Sequence, residues 1–235
     1  MSLLSVSLGT AGALLALGAL CSRLRRQQRQ RHNQAWQASL HNALALLQRV
    51  QKHRGLGGQD NPEARLQREQ IATELDRLWR SCPQDDSGLA ELDGAWRQLR
   101  QHPADFAGHC QLIEQLLNGV EHLELRLLRS QPSLQGLTLA CRELEDLAQL
   151  RGLAVRGAQQ ERCPLPLQVQ MRYLSQRLQP SASRQLELGS ALQQLQRELI
   201  EPARVAISPA ACFALLTPLI DARLGNLQQQ LGAPA

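Results

Sequence analysis

Apolar residues recur along the chain at the three- and four-residue spacing of one face of an α-helix. In the first such stretch, Leu40, Ala43, Leu47 and Val50 share a face. Breaks rich in proline, glycine and serine divide the pattern into eight predicted helices. These cover approximately residues 34–54, 62–82, 87–102, 104–129, 134–160, 169–178, 186–200 and 209–231. We expect the sixth to end before Pro180 and the last to be kinked or broken near Pro218.

The connections between these helices are short, which favours antiparallel neighbours. The pattern therefore predicts an all-α domain over residues 34–235, made of two tandem four-helix bundles at about 34–130 and 133–231. One fused eight-helix bundle is the alternative. The composition agrees with an all-α protein, because helix formers dominate and only 3% of the 235 residues are aromatic.

The N-terminal segment, residues 1–33, is a predicted membrane anchor. Residues 3–21 are uncharged and mostly apolar, and a helix of this length about suffices to cross a bilayer. No Lys or Arg precedes this stretch, which argues against a cleaved signal peptide. Five arginines follow it: Arg23, Arg25, Arg26, Arg29 and Arg31. The positive-inside rule then predicts a single-pass protein of the inner (cytoplasmic) membrane whose folded domain faces the cytoplasm. A helix that lies on the membrane or self-associates through Gly12 and Ala16 is the alternative.

Charge and motifs exclude several functions. The net charge of +5 nearly disappears without the five arginines, so no broad basic face is expected and no nucleic acid partner is predicted. The six cysteines occur singly and the six histidines share no metal-ligand spacing, so no metal and no cofactor is expected. Catalytic motifs are missing, which predicts that the chain is not an enzyme and has no catalytic residues. A di-metal or haem bundle enzyme is the least supported hypothesis.

An Arg-Gly-Leu string occurs twice, at one offset. Leu40, Ala43, Leu47, Val50, Arg54, Gly55 and Leu56 match Leu137, Ala140, Leu144, Leu147, Arg151, Gly152 and Leu153. Arg54 continues an apolar stripe, where a guanidinium is costly to desolvate unless an anionic group meets it. Convergent guanidiniums suit a small planar oxyanion, because each offers a rigid fork of donors.

A further Arg-Gly pair, Arg156 and Gly157, follows about one and a half turns beyond Arg151. The candidate ligand-binding residues are therefore Arg54, Arg151 and Arg156, with Gly55 and Gly152. The glycines would let the backbone approach the ligand or let the helices pack closely. The alternative is an ordinary helix C-terminus, where an arginine followed by glycine meets the last carbonyls and needs no ligand.

The strings LLQRVQKHRGLGG and RELEDLAQLRGLAVRGA resemble the two arginine-bearing helices of nitrate- and nitrite-sensing (NIT) domains. The chain differs from that pattern in having His53 before Arg54, where an acidic residue or a second arginine is common. The resemblance implies two four-helix bundles, with nitrate or nitrite held by Arg54, Arg151 and Arg156 from facing helices. It also implies signal transduction.

We recognise no appended output module in the sequence of 235 residues. We therefore expect a sensor of this kind to report to a separate protein, through its anchor or as a homodimer. The competing hypothesis from a different class is a ligand-free helical interaction scaffold of the same fold. In that case the arginines are structural and the helix faces bind a partner.

Overall fold

The computed structural model describes residues 3–57, 61–83 and 87–232, while the side chains of residues 3–19 and 230–232 lie outside the described part. Every regular element in these ranges is helical, which confirms the all-α prediction. The α-helices are α1 (Leu3–Gly57), α2 (Pro62–Arg80), α3 (Asp93–Gln101), α4 (Phe106–Leu127), α5 (Leu137–Ala158), α6 (Leu165–Ala182), α7 (Leu186–Leu195) and α8 (Pro209–Gly232). Short 3-10 turns precede α3 and α5, and a π-helical turn follows α7.

The helix starts have identifiable capping groups. Asn61 caps α2 by accepting a hydrogen bond from the Ala64 amide at 2.8 Å, and Asp105 caps α4 through the Gly108 amide at 2.9 Å. The first amides of α5 are capped from another helix, because the Glu124 carboxylate of α4 accepts from the amides of Gly136 and Thr138. Gly136 has φ +84°, a left-handed backbone that glycine adopts at little cost.

The predicted end of the sixth helix before Pro180 is wrong, because α6 continues through Pro180 to Ala182. The helix α8 is not broken at Pro218, and the alternative of a kink there stays a prediction. A proline inside a helix removes one backbone hydrogen bond, and tertiary packing can compensate for that loss. Here Leu178 and Ala182 are both buried in the core on either side of Pro180, which favours continuation of α6.

The first helix joins what the sequence pattern divided into an anchor, a basic segment and a core helix. It runs without interruption from Leu3 to Gly57, and side chains 20–32 are all exposed. The predicted membrane span at residues 3–21 lies almost entirely outside the described side chains, so it stays a prediction. Within the described part, Pro209–Gln229 of α8 is long and apolar enough to cross a membrane, and 28% of it is buried. Length and composition of this kind also suit a core helix.

Buried apolar side chains form two clusters that meet within α5. The first gathers side chains from α1 to α5, with Leu144 as its last member on α5. The second begins at Leu147 and gathers side chains from α5 to α8. The helix α8 also contributes to both, through Leu216 in the second cluster and Leu227 in the first. The change from one cluster to the other therefore falls inside α5, and the division into two bundles near residues 130–133 stays a prediction.

Candidate functional site

Arg54 lies in the last turn of α1, on the buried stripe, and is only 7% exposed. Its guanidinium makes a bidentate pair with the Glu145 carboxylate of α5. Nη1 donates to Oε1, and Nη2 donates to Oε2 at 3.1 Å. The anionic group that a buried arginine requires is thus supplied by the chain itself.

The pair favours the charged form of Arg54 in spite of its burial. Burial alone opposes the charged form, but the Glu145 carboxylate more than offsets it by charge attraction and hydrogen bonding. The pKa of Arg54 is therefore raised above its ordinary value.

Glu145 is satisfied on both oxygens. Besides the two bonds from Arg54, it accepts from Gln51 Nε2 at 2.8 Å and from Gln149 Nε2 at 2.6 Å. These donors come from α1 and α5, and they surround a planar group that has two acceptor oxygens. The arrangement is a receptor for a carboxylate-shaped anion, and a side chain of the protein occupies it.

Phe106, the first residue of α4, brings a second guanidinium to the same place. Its ring centroid lies 5.2 Å from Cζ of Arg54 and 4.3 Å from Cζ of Arg156. The two Cζ atoms are therefore no farther apart than the sum of these distances. Cys110, one turn along α4, accepts a hydrogen bond on Sγ from Arg54 Nη1 at 3.3 Å. Arg54 and Arg156 thus converge where α1, α4 and α5 meet.

Arg156 has no carboxylate partner among the described residues. Its Nε donates to the Gly152 carbonyl oxygen at 3.2 Å, and the side chain is exposed on one side. Burial lowers its pKa, Cys110 partly offsets this, and the positive charge of Arg54 lowers it further. An arginine stays protonated in any case, so the cluster carries positive charge that Glu145 does not balance.

Arg151 does not join this cluster. Its Nη1 donates to Thr217 Oγ1 at 3.0 Å, and its Cζ lies 4.7 Å from the Phe213 ring centroid, both on α8. At about 100° per residue, Arg156 falls within about 20° of Glu145 on α5, whereas Arg151 is about 120° away. The repeated string therefore aligns the apolar stripes of α1 and α5 but not the directions of their guanidiniums.

The helix C-terminus explanation fits one arginine and not the other. Arg54 is in the last turn of α1, as that alternative requires. The helix α5 continues from Arg151 to Ala158, so Arg151 is not at a helix end. Burial lowers the pKa of Arg151, Asp221 partly offsets this, and Arg54 adds a smaller repulsion.

The proposed role of Gly55 and Gly152 in close helix packing is wrong. A Cβ atom at either position would have no neighbour within 4 Å. Close packing occurs instead at Gly57, where a Cβ would lie 1.9 Å from the Pro103 carbonyl oxygen, and at Gly157, where it would lie 3.0 Å from Cys163 Sγ. Whether Gly55 or Gly152 approaches a ligand is a separate prediction, which the packing leaves open.

A buried histidine pair lies beside the arginine cluster, and the sequence patterns did not indicate it. His53 Nδ1 is 2.9 Å from His109 Nε2, and His109 Nδ1 is 2.5 Å from the Asp105 carbonyl oxygen. Since a carbonyl only accepts, His109 donates to Asp105 and His53 donates to His109. Burial, with a contribution from His109, lowers the pKa of His53 to about 4, and burial also lowers the pKa of His109. Both shifts favour the neutral form of the rings, which connect α1 to α4.

An open cavity of about 890 Å³ lies elsewhere, between α2 and α3. Four of its five charged groups are paired with oppositely charged side chains, and the fifth, Arg80, donates to the Asp76 carbonyl oxygen at 3.0 Å. Arg100 contacts both Asp76 and Glu69, Arg97 contacts Asp93, and Trp96 Nε1 donates to Asp76 at 2.9 Å. These contacts indicate a structural network that joins α3 to α2.

Metal-binding groups are not found in the described residues, where no three of His, Cys, Asp and Glu lie close enough to hold an ion. Four of the six cysteines are buried, and all six are free thiols. The arginine cluster around Phe106 therefore remains the candidate site. No protein-family model, curated protein or solved structure matches the chain.

Proposed function

We propose that the chain is a sensor domain that binds a small oxyanion, nitrate or nitrite, at the cluster of Arg54 and Arg156. The observation that carries the proposal is the charge balance around Phe106. Two guanidiniums lie against one ring, and a single carboxylate, Glu145, pairs with only one of them. A planar anion would neutralise the second charge and would match the donor fork of either arginine.

The resemblance of the two Arg-Gly strings to NIT domains supports the same ligand class. In this proposal Arg156 replaces Arg151 as the main partner of Arg54, since Arg151 is engaged with Thr217 on α8. Arg151 still contributes positive potential, because its charge acts on the cluster from the next face of α5. The signal would pass to a separate output protein or through a homodimer.

We also propose that the N-terminal part of α1 anchors the protein in the cytoplasmic membrane. At about 100° per residue the five arginines from Arg23 to Arg31 point all around the helix axis, with no gap wider than about 120°. The side chains of residues 20–32 are all exposed, and no acidic residue occurs before Asp60. A collar of charge suits a helix that passes through the headgroup layer, whereas a helix lying on the surface would have its arginines on one face.

A ligand-free interaction scaffold is the second candidate, and one observation favours it. The Arg54–Glu145 pair has good geometry, and both side chains are about 5% exposed or less. A buried pair that is fully hydrogen-bonded needs no ligand. In this case Arg156 would be a surface arginine that packs on Phe106.

Calorimetry with the full chain in lipid nanodiscs distinguishes the two functions. Titration with nitrate, nitrite, sulfate and chloride is expected to give binding of nitrate or nitrite, weakened about tenfold by Arg156→Gln through loss of a charge-assisted bond. Arg172→Gln, at an exposed position of α6, is the matched control and should leave the affinity unchanged. If no anion gives a binding isotherm with the wild-type protein, the sensor proposal fails and the scaffold remains.

A further inference from the structure

We infer that the Glu145 carboxylate is an internal competitor for the oxyanion at Arg54, so that anion binding at Arg54 and the Arg54–Glu145 pair exclude each other. The inference rests on the proposed function and specifies how the same site is regulated. Its starting point is geometric. The side chains of Arg54 and Glu145 are 5% and 4% exposed, so an external anion has no free access to the fork of Arg54.

The hydrogen bonds around Glu145 define what could replace it. Its two oxygens accept four hydrogen bonds, two from Arg54 and one each from Gln51 and Gln149. Nitrate, nitrite and formate are planar and present two oxygens at nearly the spacing of a carboxylate. They can therefore accept from the same donors, but only after the carboxylate has moved away.

Arg156 provides the place where an incoming anion makes its first contact. It is the exposed guanidinium of the cluster, and it shares the Phe106 ring with Arg54. The two arginines together carry two positive charges, one for Glu145 and one for an external anion. The cluster can thus hold both negative groups during the exchange, which avoids leaving either one buried without a partner.

The exchange has a mechanical consequence for the helices. Gln51 and Arg54 belong to α1, and Glu145 belongs to α5, so the carboxylate ties the two helices together across the junction of the cores. An external anion is not covalently attached to α5 and would meet that helix only through donors such as Gln149 and Arg156. Ligand binding therefore replaces the carboxylate link between α1 and α5 by a link through a free anion, and it shifts the population between a tied state, which has the Arg54–Glu145 pair, and an untied state, which does not.

The competition also sets the affinity. Because the anion binds only the untied state, its apparent dissociation constant equals the intrinsic one divided by the fraction of molecules that are untied. Weakening the internal ligand should then tighten binding of the external one. A residue that merely held Arg54 in position would have the opposite effect when it was changed.

The test is nitrate titration calorimetry on the full chain in nanodiscs, with wild type, Glu145→Gln, Glu145→Asp and Arg54→Gln. Glutamine keeps the shape of the side chain but removes its charge. Aspartate keeps the charge but shortens the reach of the carboxylate, and it is the variant to use if the glutamine variant does not fold. We expect Glu145→Gln to bind nitrate at least about tenfold more tightly, Glu145→Asp to be intermediate, and Arg54→Gln to abolish binding. Glu143→Gln is the matched control, because this carboxylate lies on the same helix but pairs with Arg223 at 3.2 Å.

Each other result overturns the inference in a recognisable way. If the Glu145 variants and Arg54→Gln all bind nitrate like the wild type, the anion sits on Arg156 alone. The sensor proposal then stands without the competition. If the Glu145 variants bind more weakly, Glu145 positions Arg54 and does not compete with the ligand. If no form binds any oxyanion, both the competition and the proposed function are lost.

Discussion

Arg54 and Glu145 are 91 positions apart in sequence, yet they form a bidentate pair between the end of α1 and the middle of α5. This pair is the most buried ion pair among the described residues. Removing one partner leaves the other charge buried without compensation. Mutation of one residue of this pair is therefore expected to lower the free energy of unfolding more than mutation within a surface ion pair of this chain.

Arg54→Ala is expected to lower the free energy of unfolding by about 3–5 kcal/mol because Glu145 would be left unpaired. Replacing both residues, Arg54→Met with Glu145→Leu, should cost less than Arg54→Ala alone, since no buried charge remains. Urea unfolding of the three proteins measures the difference. Arg97→Ala is the control, because its side chain is 74% exposed, and an exposed pair contributes about 1 kcal/mol or less. Equal losses at Arg54 and Arg97 would contradict the argument.

The buried His53 predicts a loss of stability in mild acid. Its pKa in the folded chain is about 4, below the ordinary value of 6.5, so the unfolded chain takes up a proton first as the pH falls. The contribution of His53 to stability is complete above pH 6.5 and is lost between about pH 6.5 and 4. Thermal unfolding of the wild type and of His53→Asn across this range should show the wild type losing its advantage in acid. His41→Asn, at an exposed position of α1, should leave the wild-type pH dependence unchanged.

The buried Asp146 predicts the opposite dependence of stability on pH. Burial raises its pKa to about 6 from 3.8, although Arg177 partly offsets this at 3.0 Å, and Glu145, Glu114 and Glu143 raise it further. Its contribution is complete below pH 3.8 and is lost as the pH rises through 6, because the unfolded chain releases the proton first. Asp146→Asn should therefore gain stability relative to the wild type between pH 4 and 7. A constant difference over that range would show that the pKa of Asp146 is not raised in the folded chain.

We predict that alanine substitutions at two glycines of the Arg-Gly strings have opposite effects on stability. Gly152→Ala should stabilise the chain by about 0.5–1 kcal/mol, because the position is helical and a Cβ meets nothing within 4 Å. Gly57→Ala should destabilise it, because a Cβ would lie 1.9 Å from the Pro103 carbonyl oxygen. Chemical unfolding compares the two. Nitrate titration of Gly152→Ala also tests whether a ligand approaches this backbone, and a weakened affinity would indicate that it does.

The proposed anchor predicts that charge in the apolar stretch prevents insertion. Gly12→Arg should release the protein from membranes under alkaline extraction, because an arginine near the centre of a span costs about 2.5–3.5 kcal/mol on insertion scales. Leu24→Arg, within the arginine collar, is the matched control and should remain bound. Release of the wild-type protein would contradict the anchor. Retention of both variants would favour a helix that lies on the surface.

Helix positions were predictable from sequence because proline, glycine and apolar spacing are local signals. Seven of the predicted helices have counterparts whose ends differ by a few residues, and the exception at Pro180 arises where packing continues past a proline. The burial of Arg54 was also predictable, since it continues a stripe that ends at Val50.

The partner of Arg54 was not predictable in the same way. Periodicity tells which side of a helix faces the core, but not which neighbouring helix supplies the contact. Glu145 lies in the acidic run of α5, which reads as a solvated face, and only the approach of α1 buries it to 4% exposure. The matching offset likewise led to the prediction that Arg151 lies beside Arg54. The Arg151 guanidinium contacts Thr217 and Phe213 of α8 instead.

The uninterrupted course of α1 makes the remote end of the helix sensitive to events at Arg54. A helix of 55 residues is about 80 Å long, and α1 runs without a break from Leu3 to Gly57. A twist or a slide applied at the C-terminal turns would therefore be passed along one continuous helical backbone toward the N-terminus. An exchange at the Arg54–Glu145 pair would thus be read as a rotation or a piston movement of the far end.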